Sequence, residues 1–254
     1  MPQWNDLYYQ LYQKGEQPPV ILIHGAGGTH LFWPPEIRRL PQASVYTLDL
    51  PGHGKSSRCG LQSISAYAAA LLEWIDALEL NQAVFVGHSM GGAIALQFAL
   101  ENPTRVLGLG LLSTAARLRV NPDLLELTST STTYPTAVEK LVGWSFSPEA
   151  PERLQELAHN RMLETRATVL HGDLLACREF DVVPRLAQIT QPALVLCGAD
   201  DKMTPLRQSQ LLTAELPQAR LEVIEAAGHM VMLERPQAVA QVLTSFLGDI
   251  TTEY

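Results

Sequence analysis

Short apolar runs, each bounded by Gly, Pro or Asp, recur along this 254-residue chain. They restrict the fold more than any other feature. Pro19 to Ile23, Val45 to Leu48, Ala83 to Val86 and Ala193 to Cys197 are the strongest, with Val106 to Leu112 and Leu221 to Ile224 as two more. A brief run rich in Val, Ile and Leu, without polar alternation, suits a strand covered on both faces of a parallel sheet. Helical patterns lie between the runs. In Ser65 to Leu78 the residues Ala68, Leu71, Leu72 and Ile75 share one helical face. Gly91 to Leu100 is rich in Ala and Leu and is stopped by Asn102-Pro103. Arg207 to Leu216 and Pro236 to Leu247 are the later helices. Strands alternating with helices predict an α/β fold with a mostly parallel central sheet flanked by helices.

The middle of the chain breaks this alternation. From Ala115 to Asp181 no strong strand run occurs, and Pro122, Pro135, Pro148 and Pro151 separate Leu-, Glu- and Arg-rich helical segments. Thr128 to Thr133 reads as a loop or a frayed helix end. The division expected is therefore 1–114 as the first part of an α/β core, 115–181 as a helical cap inserted into it, and 182–254 as the second part of the core. No internal repeat interrupts this plan, and a chain of this length supports one large core.

Charge and composition exclude several classes. The formal net charge is −8, and the densest basic pairs, Arg38-Arg39 and Arg117 with Arg119, are too short for a phosphate-neutralising stripe. Val106 to Leu112 is far too short to span a bilayer. Met1-Pro2-Gln3-Trp4-Asn5-Asp6 lacks the basic start and apolar run of a secretion signal. Cys59, Cys177 and Cys197 form no pairing framework, so they are read as reduced thiols of a cytoplasmic protein. The partner expected is a small-molecule substrate, without nucleic acid, membrane, metal or other cofactor, for a monomer or homodimer.

The chemistry is carried by Gly87-His88-Ser89-Met90-Gly91, which follows one strand run and opens a helix. That is the setting a G-x-S-x-G turn requires, where small neighbours let the chain fold tightly beneath an exposed serine. A neutral serine needs a base, and the base a carboxylate to hold it. Of the histidines downstream, His159 and His171 fall in the helical insertion and are read as surface or capping residues. His229, in Ala227-Gly228-His229-Met230 after the last strand run, is the better base. Asp200 and Asp201, after the strand ending in Cys197-Gly198, both supply a carboxylate, and spacing alone does not separate them. His24-Gly25-Ala26-Gly27-Gly28 follows the first strand run and suits a loop donating backbone N–H groups to an oxyanion. Ala26 is assigned as one donor and Met90 as the other, while His24 is taken as positioning the loop. Two other glycine patterns fail as phosphate loops, because His30 and Asp49 stand where glycine would be needed.

Together these segments resemble the α/β-hydrolase superfamily, especially its small cofactor-free serine esterases with a helical cap. The resemblance rests on the motifs above with Asp49-Leu50-Pro51-Gly52-His53-Gly54-Lys55-Ser56 and Gly198-Ala199-Asp200-Asp201-Lys202-Met203-Thr204-Pro205, in family order over nearly all of the chain but the insertion. It implies a catalytic triad of Ser89, Asp201 and His229, with Asp201 preferred over Asp200, and an insertion lying over Ser89. Relatives that dehalogenate alkanes or open epoxides use aspartate as nucleophile, so Ser89 argues against both. Phe32, Trp33, Trp144 and Phe146 are candidates to line the substrate pocket, and Leu118, Leu124, Leu125 and Leu141 to make an apolar underside to the cap. The activity implied is hydrolysis of a carboxylic ester through an acyl-enzyme. The alternatives are carbon–carbon hydrolysis or an elimination on the same triad, with Arg117, Arg119, Arg161 and Arg166 as possible cations, or a non-enzymatic small-molecule receptor. Carbon–carbon hydrolases often carry Asn where this chain has His88, which lowers their standing.

Overall fold

The computed structural model describes residues 3–4, 7–12, 15, 17–57 and 59–252. Met1, Pro2, Asn5 and Asp6 of the N-terminal stretch lie outside these. Eight strands form one sheet in the order β1-β2-β4-β3-β5-β6-β7-β8. They are β1 (Gln3–Trp4), β2 (Leu7–Leu11), β3 (Gln17–Ile23), β4 (Ala43–Leu48), β5 (Ala83–His88), β6 (Val106–Leu112), β7 (Ala193–Gly198) and β8 (Ala219–Ile224). From β4 through β8 neighbouring strands run parallel, while β2 joins β4 and β1 joins β2 antiparallel.

The six apolar runs are the six strands of the parallel part. Both faces of the central strands β3, β5, β6 and β7 are covered, which explains why these lack alternation, while β4 alternates and the edge strand β8 is half-buried. Ile21, Ile23 and Phe85 point to one side, against α2 (Ile64–Ala77) and α3 (Met90–Glu101). Val20, Leu22, Val84 and Val86 point to the other, with Ile37 of α1 (Pro35–Arg38) and Val239, Leu243 and Phe246 of the C-terminal helix Pro236–Thr252. Successive residues of a strand face opposite ways, so a strand in the middle of this sheet has no polar side to show. β2, Leu-Tyr-Tyr-Gln-Leu, lies between β1 and β4, is partly buried and mixed in polarity, so it stands outside the apolar-run pattern.

Four helices fill the stretch between β6 and β7: α4 (Pro122–Thr128), α5 (Tyr134–Ser145), α6 (Glu152–Leu163) and α7 (Ala167–Glu179). The chain leaves and rejoins the sheet at one point. Arg117 and Asp181 form an antiparallel bridge there, the Arg117 Nε donates to the Asp181 carboxylate at 2.6 Å, and the Val182 N–H donates to the Ala116 carbonyl at 2.8 Å. Then follow α8 (Leu206–Glu215), α9 (Val231–Glu234) and α10 (Pro236–Thr252).

The parallel register brings the C-terminal ends of β3, β5, β6 and β7 side by side, with Ile23 beside Gly87, His88 beside Leu112 and Leu112 beside Leu196. Loops leaving that edge share one rim, the usual ligand-binding edge of an open α/β sheet. Phe85, at the centre of β5, is fully buried, and its ring lies 4.6 Å from that of Phe98 on α3. Phe85→Ala should lower the unfolding free energy by about 3–5 kcal/mol in a urea titration. A loss under about 1 kcal/mol would show that this contact does not hold α3 to the sheet.

Candidate active site

Ser89 occupies the turn between β5 and α3 with φ 53° and ψ −117°. A non-glycine residue here is strained by about 1–3 kcal/mol, and the surroundings must hold it. The Ser89 N–H donates to the Leu112 carbonyl at 2.9 Å, and the Thr114 hydroxyl donates to the Ser89 carbonyl at 2.7 Å. A side chain at Gly87 would run into the Gly91 carbonyl, and one at Gly91 into the Ile23 carbonyl. Both glycines are therefore required by close backbone approach. Met90 begins α3, so its N–H belongs to the first turn, which lacks intrahelical acceptors.

His229 lies in the loop after β8 and is buried. Its Nδ1 is 3.0 Å from Asp201 Oδ2 and 3.2 Å from Oδ1. The same carboxylate accepts the Met203 N–H at 2.9 Å, the Thr204 N–H at 2.8 Å and the Thr204 hydroxyl at 2.8 Å. Burial alone would raise the Asp201 pKa, but His229 and the Thr204 donors outweigh it and bring it down to about 2. Asp200 is exposed, which answers the choice between the two aspartates in favour of Asp201 as the partner of His229. With Nδ1 engaged by Asp201, the Nε2 of His229 remains for other partners. Ser89 and His229 both line one cavity of about 410 Å³.

Three residues support this loop in roles that the sequence reading did not assign. His88 Nε2 is 2.9 Å from the His229 carbonyl, and burial, followed by the neighbouring His229, pushes the His88 pKa down to about 3. It is thus a neutral ring donating that bond. Glu234 accepts the Gly228 N–H at 2.8 Å through one oxygen and the Ser147 N–H at 3.0 Å through the other. Thr204 is the third. The sequence distances involved, 141 residues for His88 to His229 and 87 for Ser147 to Glu234, leave no local signal.

The loop after β3 places Ala26 on the cavity wall, and its N–H meets no protein acceptor among the described residues. His24 is buried, and its Nε2 accepts the Leu50 N–H at 3.0 Å. Burial and the nearby His53 lower its pKa to about 4, so it stays neutral and ties the loop to the segment after β4. Asp49 strengthens that tie by accepting the His30 N–H at 2.7 Å and the Lys55 N–H at 2.9 Å.

The proposed pocket residues divide. Phe32 and Trp144 line the cavity. Trp33 and Phe146 do not: both are buried in the core cluster on the α10 side of the sheet. Each is the neighbour in sequence of a residue that does face the cavity, and adjacent side chains in these turns point different ways. Leu118, Leu124 and Leu141 line it, whereas Leu125 packs on the core. Of the four arginines, only Arg119 reaches the wall. Arg117 is paired with Asp181, Arg161 with Glu164, and Arg166 stands at the start of α7. Lys202 also lines the cavity, and among the described residues no Asp or Glu does. His171 is half-buried, 3.0 Å from the Thr128 hydroxyl, and away from the cavity wall. Among the described residues no cluster suited to a metal ion occurs, and no helix is long and apolar enough to cross a membrane.

Residues 18–236 match the model of the alpha/beta hydrolase fold family. A pimeloyl-acyl-carrier-protein methyl ester esterase of Yersinia enterocolitica is 28% identical, over 94% of this chain and 96% of its own. A 3-oxoadipate enol-lactonase of Acinetobacter baylyi is also 28% identical, over 91% of this chain and 89% of its own. The crystal structure of a hydrolase from Pseudomonas aeruginosa superposes with a TM-score of 0.86 at 30% identity, covering 95% of this chain and 94% of that one.

The depressed Asp201 pKa has a definite sign. Its stabilisation is fully present above the ordinary carboxylate value of 3.8 and is lost as pH falls toward 2. It amounts to roughly 2 kcal/mol. In acid titrations followed by circular dichroism, Asp201→Asn should flatten the fall in stability between these values. An unchanged slope would show that Asp201 keeps an ordinary pKa.

Proposed function

This chain belongs to the alpha/beta hydrolase fold family, and we propose that within it the chain is a serine hydrolase cleaving a carboxylic ester of a small, partly apolar substrate. One observation carries this: Ser89, on its strained turn, faces the same cavity as a His229 held by a buried Asp201. The family relatives named above, a methyl ester esterase and an enol-lactonase, are consistent with that reading.

In the proposed reaction the Ser89 hydroxyl attacks the ester carbonyl carbon while His229 Nε2 takes its proton. The bond from oxygen to carbon forms as the carbonyl electron pair moves onto oxygen. The N–H groups of Ala26 and Met90 hold that oxyanion, each such donor being worth about 3–4 kcal/mol. The intermediate collapses, His229 returns the proton to the leaving alkoxide, and an acyl-enzyme remains. Water, activated by the same imidazole, then releases the acid. Asp201 keeps His229 in the tautomer with Nε2 free and stabilises its cation. No step calls for a cofactor. Residues 115–181 act as a cap whose helices α4 to α7 and approach segment supply the apolar wall.

A second reading draws on the charges of that wall. In a chain of net charge −8, Arg119 and Lys202 line the cavity without a carboxylate among its lining residues. This favours a substrate that carries an anionic group, and with it the alternatives of carbon–carbon hydrolysis or elimination on an acid substrate by the same triad.

A p-nitrophenyl ester series from acetate to long-chain acyl tests the first reading. Wild type should turn over a preferred chain length, and Ser89→Ala should lose a factor on the order of 10⁴ or more. Wild type inactive on every ester would overturn ester hydrolysis and leave the acid-substrate reactions. For the second reading, p-nitrophenyl half-esters of dicarboxylic acids are compared with neutral esters of equal length. Arg119→Ala should raise KM about two- to fivefold for the half-esters alone, as suits a solvated ion pair. An equal effect on both kinds of ester would remove the anion preference.

A further inference from the structure

Asp173, on the cavity-side helix α7, is a fully buried carboxylate outside the proposed triad. Its Oδ2 is 2.9 Å from the Gly27 nitrogen and 2.8 Å from His53 Nε2, and its Oδ1 accepts the Tyr67 hydroxyl at 2.6 Å. All three partners are donors, as an ionised carboxylate requires. His53 is also fully buried, and its other nitrogen, Nδ1, faces the Pro51 carbonyl at 3.1 Å. Both ring nitrogens therefore face acceptors, which suits the imidazolium. Burial opposes that charge, but Asp173 outweighs it and raises the His53 pKa above its ordinary value. The helix is brought this close by its own face: a side chain at Gly172 would sit 2.8 Å from the Leu61 carbonyl, and Val169 packs on Gly60.

A second contact reaches the same glycine from the other direction. The Thr165 hydroxyl, in the turn between α6 and α7, donates to the Gly27 carbonyl at 3.0 Å. Thr165 is fixed in turn by Tyr134, whose hydroxyl donates to the Thr165 carbonyl at 2.6 Å. Gly27 adopts φ +65°. Its N–H belongs to the peptide unit that follows Ala26, and its carbonyl to the next one. Both peptide units that follow Ala26 are thus tied to α7 and the turn before it, and the second also closes within the loop through the Gly28 N–H, which donates to the Gly25 carbonyl at 3.1 Å.

We propose that Asp173, with Thr165, is a positioning residue for the oxyanion loop, clamping the two peptide units that flank Gly27 so that the Ala26 N–H points into the cavity. The inference rests on the ester-hydrolase reading and on Ala26 as donor. It makes the helices between β6 and β7 a part of the rate-determining geometry as well as a wall for substrate. Asp173→Asn with its oxygen kept toward Gly27 and His53 would leave the buried His53 without a counter-charge and turn an amide N–H toward the donating Tyr67 hydroxyl, so the clamp cannot be rebuilt unchanged. Misplacing a reacting group by about 1 Å can cost about a hundredfold in rate.

The experiment measures kcat and KM on the preferred p-nitrophenyl ester, with active sites counted by burst titration so that unfolded protein is not counted. Asp173→Asn should lower kcat about ten- to a hundredfold with KM within about threefold. Thr165→Val should lower kcat severalfold, and Thr165→Ser, which restores the hydroxyl, should return it to near wild type. Variants that melt earlier but keep wild-type kcat per active site would overturn the clamp. If Asp173→Asn does not fold, the Thr165 pair decides by the same criterion. Wild type and Ser89→Ala run alongside. An active wild type with silent clamp variants removes the clamp alone, whereas a wild type inactive on every ester removes the hydrolase reading and the clamp together.

Discussion

The left-handed turn at Ser89 is the constraint on which the rest of the site depends. A serine at φ 53° exists only where its neighbours leave no alternative. Here β5 lies at the middle of the sheet, with β3 on one side and β6 on the other, and α3 must start at once to pack against α2. The chain therefore reverses between Gly87 and Gly91 without room for a side chain at either. The strain is offset by the Leu112 and Thr114 hydrogen bonds, which come from the adjacent strand and its continuation. The same reversal puts the first turn of α3, with its positive partial charge, beside Ser89.

Burial then sets the protonation of the histidines around that turn. His24 and His53 approach ring to ring at 4.9 Å, as do His88 and His229. Two cations at that separation in a dry interior would repel, and each pair resolves the problem through its partners. His24 and His88 are held neutral, their pKa values pushed down to about 4 and 3. His53 gains the Asp173 carboxylate, and His229 gains Asp201. One member of each pair is neutral and structural, and the other has a carboxylate at hand. Neutral His88 therefore sets no second charge against the His229 ring.

What could be read from the chain alone follows the range of the interactions. The central strands β3, β5, β6 and β7 show as apolar runs because both faces are dry, and Ser89 shows because the turn needs glycines two residues to either side. Asp201 and Asp200 are indistinguishable by type. They part only in the structure, where Asp201 is buried against His229 and Asp200 is exposed. β2 was not legible, since its Leu-Tyr-Tyr-Gln-Leu sequence mixes polar and apolar residues without a run. Trp33 and Phe146 show a different limit. Aromatic residues near a cavity are legible as a group, but which of two neighbours faces inward depends on turn geometry that composition does not encode. Asp173 was silent for a further reason: its partners lie 106 to 146 residues away, so nothing near it in sequence marks it.

Two buried carboxylates join the helices between β6 and β7 to the two loops of the site, and they do so from opposite sides. Asp173 belongs to the helices and reaches the loop after β3. Glu234 belongs to the core and holds both Gly228, beside His229, and Ser147, at the end of α5. The Met230 N–H adds a direct bond to the Ser145 carbonyl at 3.0 Å. A rigid swing of all four helices away from Ser89 would strip partners from buried charges and lose these bonds together. Leaving a buried charge unpaired is costly, by several kcal/mol. Access to the cavity therefore comes more cheaply from its rim, where Arg119 and Lys202 are exposed, than from lifting α7. On the proposed reading, specificity and rate are then coupled. A substitution that reshapes the wall from α6 or α7 acts on the same helices that hold Gly27, and one at Ser147 acts on the carboxylate that holds Gly228.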